Sequence, residues 1–341
     1  MKTIAQNVQP MEPIPILTIL ITTYNREPIL NALLSKLFEY ETHGLSFKVI
    51  VSDDCSTDRT KDTCMNWSVR FNNFKYLKLE KNSGMDANFM NAYEACDTPY
   101  CWLLGDARCV DFNGLKTILA KLVENKHDAL ILNCHYNMKM PDKTYSDINT
   151  LLSEQGWHIT NNSSCVIPRN FINRTLYHRY FGTTFLHMGI FVENLCMKET
   201  FTVAYLKDVR VRSVKVPSYT KNGWFCHPFL NFGRLWFTFV MSLPNQVDVS
   251  TKLKVLKDHN KYTHIFSPLR GIPQGKALYG KTFVESYREN RMYMPFVSNT
   301  PRILYDVIML IPSWTINATI NIYLKLKRAI YRNGLPNKWQ Q

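Results

Sequence analysis

The sequence predicts an α/β fold with a mainly parallel central sheet flanked by helices, and three observations carry that expectation. Nearly unbroken apolar runs such as "IPILTILIT" suit strands buried on both faces of a sheet. Stretches of helical period alternate with them. Where the runs end, polar residues recur: Thr22, Thr23, Asp53, Asp54 and Asp106. In a βαβ arrangement the crevice outside the carboxyl ends of the strands is where such groups act.

The elements follow in order. After the first strand, "PILNALLSKLFEY" places Ile29, Leu30, Leu33, Leu34, Leu37 and Phe38 on one helical stripe. "FKVIVSD" reads as a strand, Thr57 to Phe71 as a helix, and "FKYLKLE" as a short strand. "NSGMDANFMNAYEAC" has Met85, Phe89, Tyr93 and Cys96 at helical spacing, with Ser83 expected as N-cap. The strand "YCWLL", a helix over "LKTILAKLV" and the strand "DALILNC" complete this half. From about residue 140 the pattern weakens into mixed polar segments, an aromatic cluster and basic helical stretches, without internal repeats. The expected division is 13–138, 139–245 and a mostly helical basic region 246–341.

With 45% hydrophobic residues in 341, the chain has ample material for a core. No basic stretch, apolar run and small-residue cleavage site open the chain, so it is expected not to be secreted. Nine cysteines without a CxxC pair read as reduced core residues, which excludes a disulfide framework or zinc site of recognisable spacing. Of the net charge of +14, residues 250–341 carry +11, from fifteen Lys and Arg against four Asp and Glu. Such a region suits anionic lipid, a phosphorylated substrate or simple solvation. Nucleic acid is not expected as a partner, because no recognised module or basic-aromatic repeat appears there. The uncharged segment Val307 to Leu324 is interrupted by Pro312 and carries Ser313, Asn317 and Asn321 at i, i+4, and Lys325, Lys327 and Arg328 follow. This suits an interfacial or core helix rather than a spanning one.

Three stretches carry chemistry. "ITTYNRE" offers two hydroxyls and the flat ring of Tyr24; "VSDDCSTD" offers adjacent carboxylates; "NSGMDAN" opens a helix whose N-terminus suits a diphosphate. In this order and at these intervals, with "YCWLLGDAR" following, residues 16–112 resemble the nucleotide-binding half of family 2 glycosyltransferases of GT-A fold. "YFGTTFLHMGIFVENL" is similar to the abequosyltransferase-like branch that builds bacterial O-antigen and capsule repeats. The resemblance spans roughly residues 14–200.

That resemblance implies an inverting transfer from a nucleoside diphosphate sugar to a polyprenyl-diphosphate-linked saccharide, at the inner face of the bacterial cytoplasmic membrane. A catalytically silent nucleotide-sugar-binding subunit is the alternative. By the same resemblance Thr22 and Tyr24 lie against the base, Asp54 with Asp53 nearby reads its edge, and Asp86, Asp106 and Arg108 serve the nucleotide. Turn formation is the plain alternative for the two adjacent acids. The family's D-x-D run, which holds Mg2+ or Mn2+, is eroded here to Gly105-Asp106-Ala107. Asp106 keeps a metal, or Arg108 supplies the positive charge itself, or Asp106 merely caps the turn with Arg108 in solvent. No Asp stands where the family places its general base, which leaves His187 as candidate, Glu193 as runner-up and a purely structural histidine as the alternative. Lys221, Trp224 and His227 in "SYTKNGWFCHPF" are weaker candidates for a loop closing over the donor.

Overall fold

A computed structural model of the chain describes residues 14–134, 138, 140–214, 226–316 and 318. Its packing divides into two units, 1–151 with 158–219 and 152–157 with 220–341. Lys221 and Trp224 lie outside the described residues, as does most of Val307 to Leu324 beyond Ile316.

The first unit begins with the alternation expected from the sequence: β1 (Leu17–Thr23), α1 (Glu27–Thr42), β2 (Lys48–Asp53), α2 (Thr60–Ser68), β3 (Phe74–Lys78), α3 (Met85–Glu94) and β4 (Tyr100–Gly105). There follow β5 (Arg108–Cys109), α4 (Phe112–Glu124), β6 (Ala129–Asn133), β7 (Lys143–Tyr145), α5 (Ile148–Gln155), β8 (Cys165–Pro168), α6 (Arg174–Tyr180), α7 (Leu186–Cys196), β9 (Val203–Arg210) and β10 (Arg212–Ser213). The main sheet runs β3-β2-β1-β4-β8-β6-β9-β7. Only β8 and β7 oppose the common direction. β5 and β10 form a separate antiparallel ribbon.

Strands β1, β2, β4 and β6 are buried along nearly their whole length, as the unbroken apolar runs require. The Leu30, Leu33, Leu34 and Leu37 face of α1 packs into one core with Ile19, Val49, Val51, Trp102 and Leu104. All nine cysteines are free thiols. Close approach is demanded at Gly189 in α7, where a Cβ would come within 2.4 Å of the Tyr180 ring. Gly189→Ala is therefore expected to cost about 2 kcal/mol of stability by overpacking, read as a lower denaturant midpoint.

The second unit is helical. A π-helical turn, Phe229–Leu235, leads into α8 (Trp236–Ser242), α9 (Val249–Thr263), α10 (Gly271–Asn290), α11 (Met294–Val297) and α12 (Arg302–Leu310). Its core is aromatic: the Phe229 ring lies 5.4, 5.1 and 5.0 Å from those of Phe266, Phe283 and Tyr287. Lys276 is buried and donates to the carbonyls of Ile308, Met309 and Ile311, satisfying the end of α12. Burial lowers the Lys276 pKa. His227 is exposed just before the π-helical turn.

Candidate functional site

Sheet register assembles the site. Thr22 pairs with Ser52 on one side and Gly105 on the other, and Thr23 pairs with Asp53, so the ends of β1, β2 and β4 lie together. Asp53 is 0% exposed. Its Oδ1 accepts the Ser56 N–H (2.9 Å) and its Oδ2 the Tyr76 hydroxyl (2.7 Å). Asp54 accepts the N–H groups of Ser83 (2.7 Å) and Gly84 (3.0 Å), one on each oxygen. Burial raises the Asp54 pKa, against the pull of those two N–H groups. The expected Ser83 cap is corrected here: Gly84 stands at the N-cap of α3 with φ 86°, a conformation glycine adopts at little cost. The carboxylate of Asp54 instead holds the two residues that lead into the helix.

Asp106 is already engaged. Its Oδ1 accepts from Arg26 Nη1 at 2.7 Å and its Oδ2 from the Thr23 hydroxyl at 2.9 Å. Burial raises its pKa, while the Arg26 guanidinium pulls it down. Among the described residues no group of three or more His, Cys, Asp or Glu stands together to hold a metal ion. A divalent cation such as Mg2+ is ordinarily held by one or two carboxylates with phosphates and waters. A single carboxylate bearing a guanidinium on one oxygen and a hydroxyl on the other does not fit that role. Arg26 is the residue that sequence reasoning passed over, although a base directly after "TTYN" in the first strand-to-helix turn was the available signal.

Tyr24 and Arg108, the other candidates, follow the ends of β1 and β4. Tyr24 is 42% exposed. The turn after it is fixed by Asn25, at φ 52°, whose N–H donates to Ser56 Oγ (2.8 Å) and whose side-chain oxygen accepts the Thr57 N–H (2.7 Å). Arg108, half-buried in β5, donates to Ser213 Oγ of β10 at 3.3 Å. A groove of about 1080 Å³ lies at the opposite ends of the strands, where β4 and β9 begin, and contains none of these residues.

Asp86 lies in the first turn of α3, two residues after Gly84. Its Oδ2 accepts the N–H groups of Gly182 (2.8 Å) and Thr184 (3.1 Å), which ties α3 to the loop before α7. Glu193 has both oxygens committed, to Arg179 at 2.7 Å and to the Tyr180 hydroxyl. His187 sits edge-on to Phe89, ring centroids 5.8 Å apart, and neither ring nitrogen makes a hydrogen bond of ordinary geometry. Burial drives its pKa down to about 4, against the pull of the Ile159 and Thr160 backbone. A proton lost more readily in the folded than in the unfolded chain carries a stability consequence. Between the unfolded value near 6.5 and the folded value near 4, the unfolded state binds more proton, so stability falls as pH falls through that window. The full contribution is about 3 kcal/mol. Thermal unfolding from pH 7 to 4 is expected to show a drop in Tm that is smaller in His187→Gln.

This strand-end arrangement on a mostly parallel sheet belongs to a class of sugar transferases. Residues 18–193 match the model described as Glycosyl transferase family 2, and the chain belongs to that family. Abequosyltransferase RfbV of Salmonella typhimurium is 33% identical over 86 residues, 25% of this chain and 26% of that protein. Validoxylamine A glucosyltransferase of Streptomyces hygroscopicus subsp. limoneus is 27% identical over 142 residues, 41% of this chain and 31% of that one. The chain thus spans between about a quarter and a third of the length of these relatives. Among solved structures, Staphylococcus aureus TarS 1-349 superposes with a TM-score of 0.52 at 15% identity, covering 79% of this chain and 80% of that one. Its complex with UDP gives 0.52 at 16% identity, over 80% and 81%. This likeness establishes the GT-A fold.

Proposed function

We propose that the chain is an inverting glycosyltransferase that moves a sugar from a nucleoside diphosphate sugar to a hydroxyl of a lipid-linked oligosaccharide in bacterial surface polysaccharide synthesis. The convergence of Thr23, Asp53, Asp54 and the Arg26–Asp106 pair at the ends of β1, β2 and β4 carries this reading. The UDP bound to the fold relative TarS supports a nucleotide donor, and the abequosyltransferase name of RfbV supports a surface-polysaccharide product. In this reading Tyr24 and Thr22 lie against the base, and Asp53 and Asp54 fix the turns that seat it. Arg26 and Arg108 meet the diphosphate, where guanidinium forks match phosphate oxygens.

A panel of UDP, GDP, CDP and dTDP sugars, assayed for release of the nucleoside diphosphate, tests the proposal. Turnover of one of them is the expected result. The engaged state of Asp106 favours a second reading, a silent binding subunit, and binding of a donor without turnover would decide for it.

A peripheral place on anionic membrane is part of the same proposal. No helix among the described residues is long and apolar enough to cross a membrane. On α12 the side chains Ile303, Leu304, Val307 and Leu310 are exposed, and Trp314, beyond the end of that helix, is exposed too, within a region of net positive charge. An apolar stripe beside basic residues suits an interfacial helix. Retention on phosphatidylglycerol vesicles is expected to fall at least tenfold in Ile303→Ser/Leu310→Ser; unchanged retention contradicts this part of the reading.

A further inference from the structure

Gly105 ends β4 without a side chain, and what borders the empty place is polar. A Cβ there would stand 3.6 Å from each of Arg108 Cγ, Asn162 Oδ1 and Ser163 Oγ. The last two belong to the short turn Asn162–Ser164, which leads into β8. Antiparallel pairing sets Trp102 of β4 opposite Val166 of β8, and this carries the turn to the C-terminal end of β4. The turn is fixed in place. Gly105 N–H donates to Ser163 Oγ (3.0 Å), Trp102 Nε1 to the Ser163 carbonyl (2.8 Å), and the Ser163 N–H to Asn161 Oδ1 (3.0 Å).

Asn162 keeps one end of its amide open. Its Oδ1 accepts the Ser163 hydroxyl at 3.3 Å, while Nδ2 meets no acceptor among the described residues. Gly105, Arg108 and Asn162 are each half-buried, so all three reach solvent.

Strand order indicates which part of a donor comes here. Asp53 ends β2 and Asp54 follows it, the Arg26–Asp106 pair joins the ends of β1 and β4, and Asn162 stands beyond β4 on the β8 side. Neighbouring strands lie about 4.8 Å apart. A nucleoside diphosphate sugar has its parts in a fixed order: base, ribose, diphosphate, sugar. With the base at the ends of β2 and β1 and the diphosphate at Arg26, the transferred sugar falls between β4 and β8. A neutral amide brings no charge to a phosphate, whose oxygens guanidinium forks match better, and suits the hydroxyl of a sugar.

We infer that Asn162 Nδ2 donates a hydrogen bond to a hydroxyl of the transferred sugar and makes Asn162 a specificity-determining residue of the donor site. The inference rests on the glycosyltransferase reading above. Gly105 is part of the device, because a longer side chain there would run into Asn162 and Ser163 and take the space of the sugar. The hydrogen bonds of the turn hold the amide before the donor arrives, so little ordering is lost on binding. A sugar without the matching hydroxyl leaves Nδ2 unpaired beneath it, which is how a hydrogen-bonding site rejects a close analogue.

The test compares two ligands: the tightest-bound of the UDP, GDP, CDP and dTDP sugars, and its nucleoside diphosphate alone. Asn162→Ala is expected to weaken the Kd of the sugar nucleotide at least tenfold and to leave that of the nucleoside diphosphate within twofold. Among deoxy analogues of the transferred sugar, one is expected to bind wild type at least tenfold more weakly than the parent and to bind Asn162→Ala within twofold of the parent. A sugar nucleotide Kd weakened less than tenfold, an equal weakening of both ligands, or no such deoxy analogue overturns the inference and leaves the glycosyltransferase reading standing. A wild-type chain that binds no nucleoside diphosphate overturns both. Should Asn162→Ala not fold, Asn162→Asp decides, since it keeps the acceptor for Ser163 and removes only the Nδ2 donor. Its charge acts on the diphosphate of both ligands alike, so the ratio of the two Kd values reads the sugar: a change of at least tenfold supports the inference and a smaller one overturns it.

Discussion

Donor turnover is expected to persist undiminished in EDTA, and Arg26→Gln is expected to weaken nucleoside diphosphate binding about a hundredfold. The physical reason is charge. A leaving diphosphate needs positive charge close by, and a divalent ion is the usual source in GT-A enzymes of the kind this chain resembles. Here the one carboxylate at the end of β4, Asp106, carries Arg26 at 2.7 Å and Thr23 at 2.9 Å. Arg108 stands two residues further on. Truncating one partner of a desolvated charge contact costs about 2–5 kcal/mol, and about 2.7 kcal/mol corresponds to the hundredfold loss. The Arg26 variant also leaves Asp106 buried and unpaired, so its Tm is expected to fall as well. Loss of turnover in EDTA with recovery on adding Mn2+ would show that the pair opens to admit a metal.

The second large effect is expected at Asp54. Asp54→Ala removes both acceptors for the N–H groups of Ser83 and Gly84, and with them the anchor of the loop that enters α3. Hydrogen bonds to a charged group contribute about 1.5–3 kcal/mol each. The expected outcome is a stability loss of about 3 kcal/mol in denaturant unfolding and a donor Kd at least tenfold weaker. Asp54→Asn should fall between, because an amide oxygen replaces one acceptor and an NH2 opposes the other N–H. Equal stability of Asp54→Ala and wild type would contradict the anchoring role.

Much of the fold was legible because burial writes itself into periodicity. The runs that became β1, β2, β4 and β6 are apolar on both faces, and the α1 stripe is continuous from Ile29 to Leu37. β8 was not legible. It is four residues long, lies antiparallel between β4 and β6, and its place is set by neighbours more than thirty residues away in the chain. The site divides in the same way. The acids at the strand ends stood out from the sequence, since their position follows from where each strand stops. Their partners did not, because Arg26 meets Asp106 across 80 residues and Asp86 meets Thr184 across 98. Asp86 is read as a nucleotide residue from its place at the start of α3, and its Oδ2 contacts with the N–H groups of Gly182 and Thr184, in the loop before α7, are set by tertiary packing. His187 kept its place at the head of α7, but burial against Phe89 holds it neutral with a pKa of about 4, a weak base.

The central claim is that the ends of β1, β2 and β4 seat a nucleoside diphosphate with Arg26 on its phosphates. A crystal structure of the chain soaked with the nucleoside diphosphate of its preferred donor, in EDTA, tests this most directly. The account predicts the base against Tyr24 and Thr22 and the diphosphate within hydrogen-bond distance of Arg26. A nucleotide bound elsewhere on the chain, or none at saturating concentration, would contradict it.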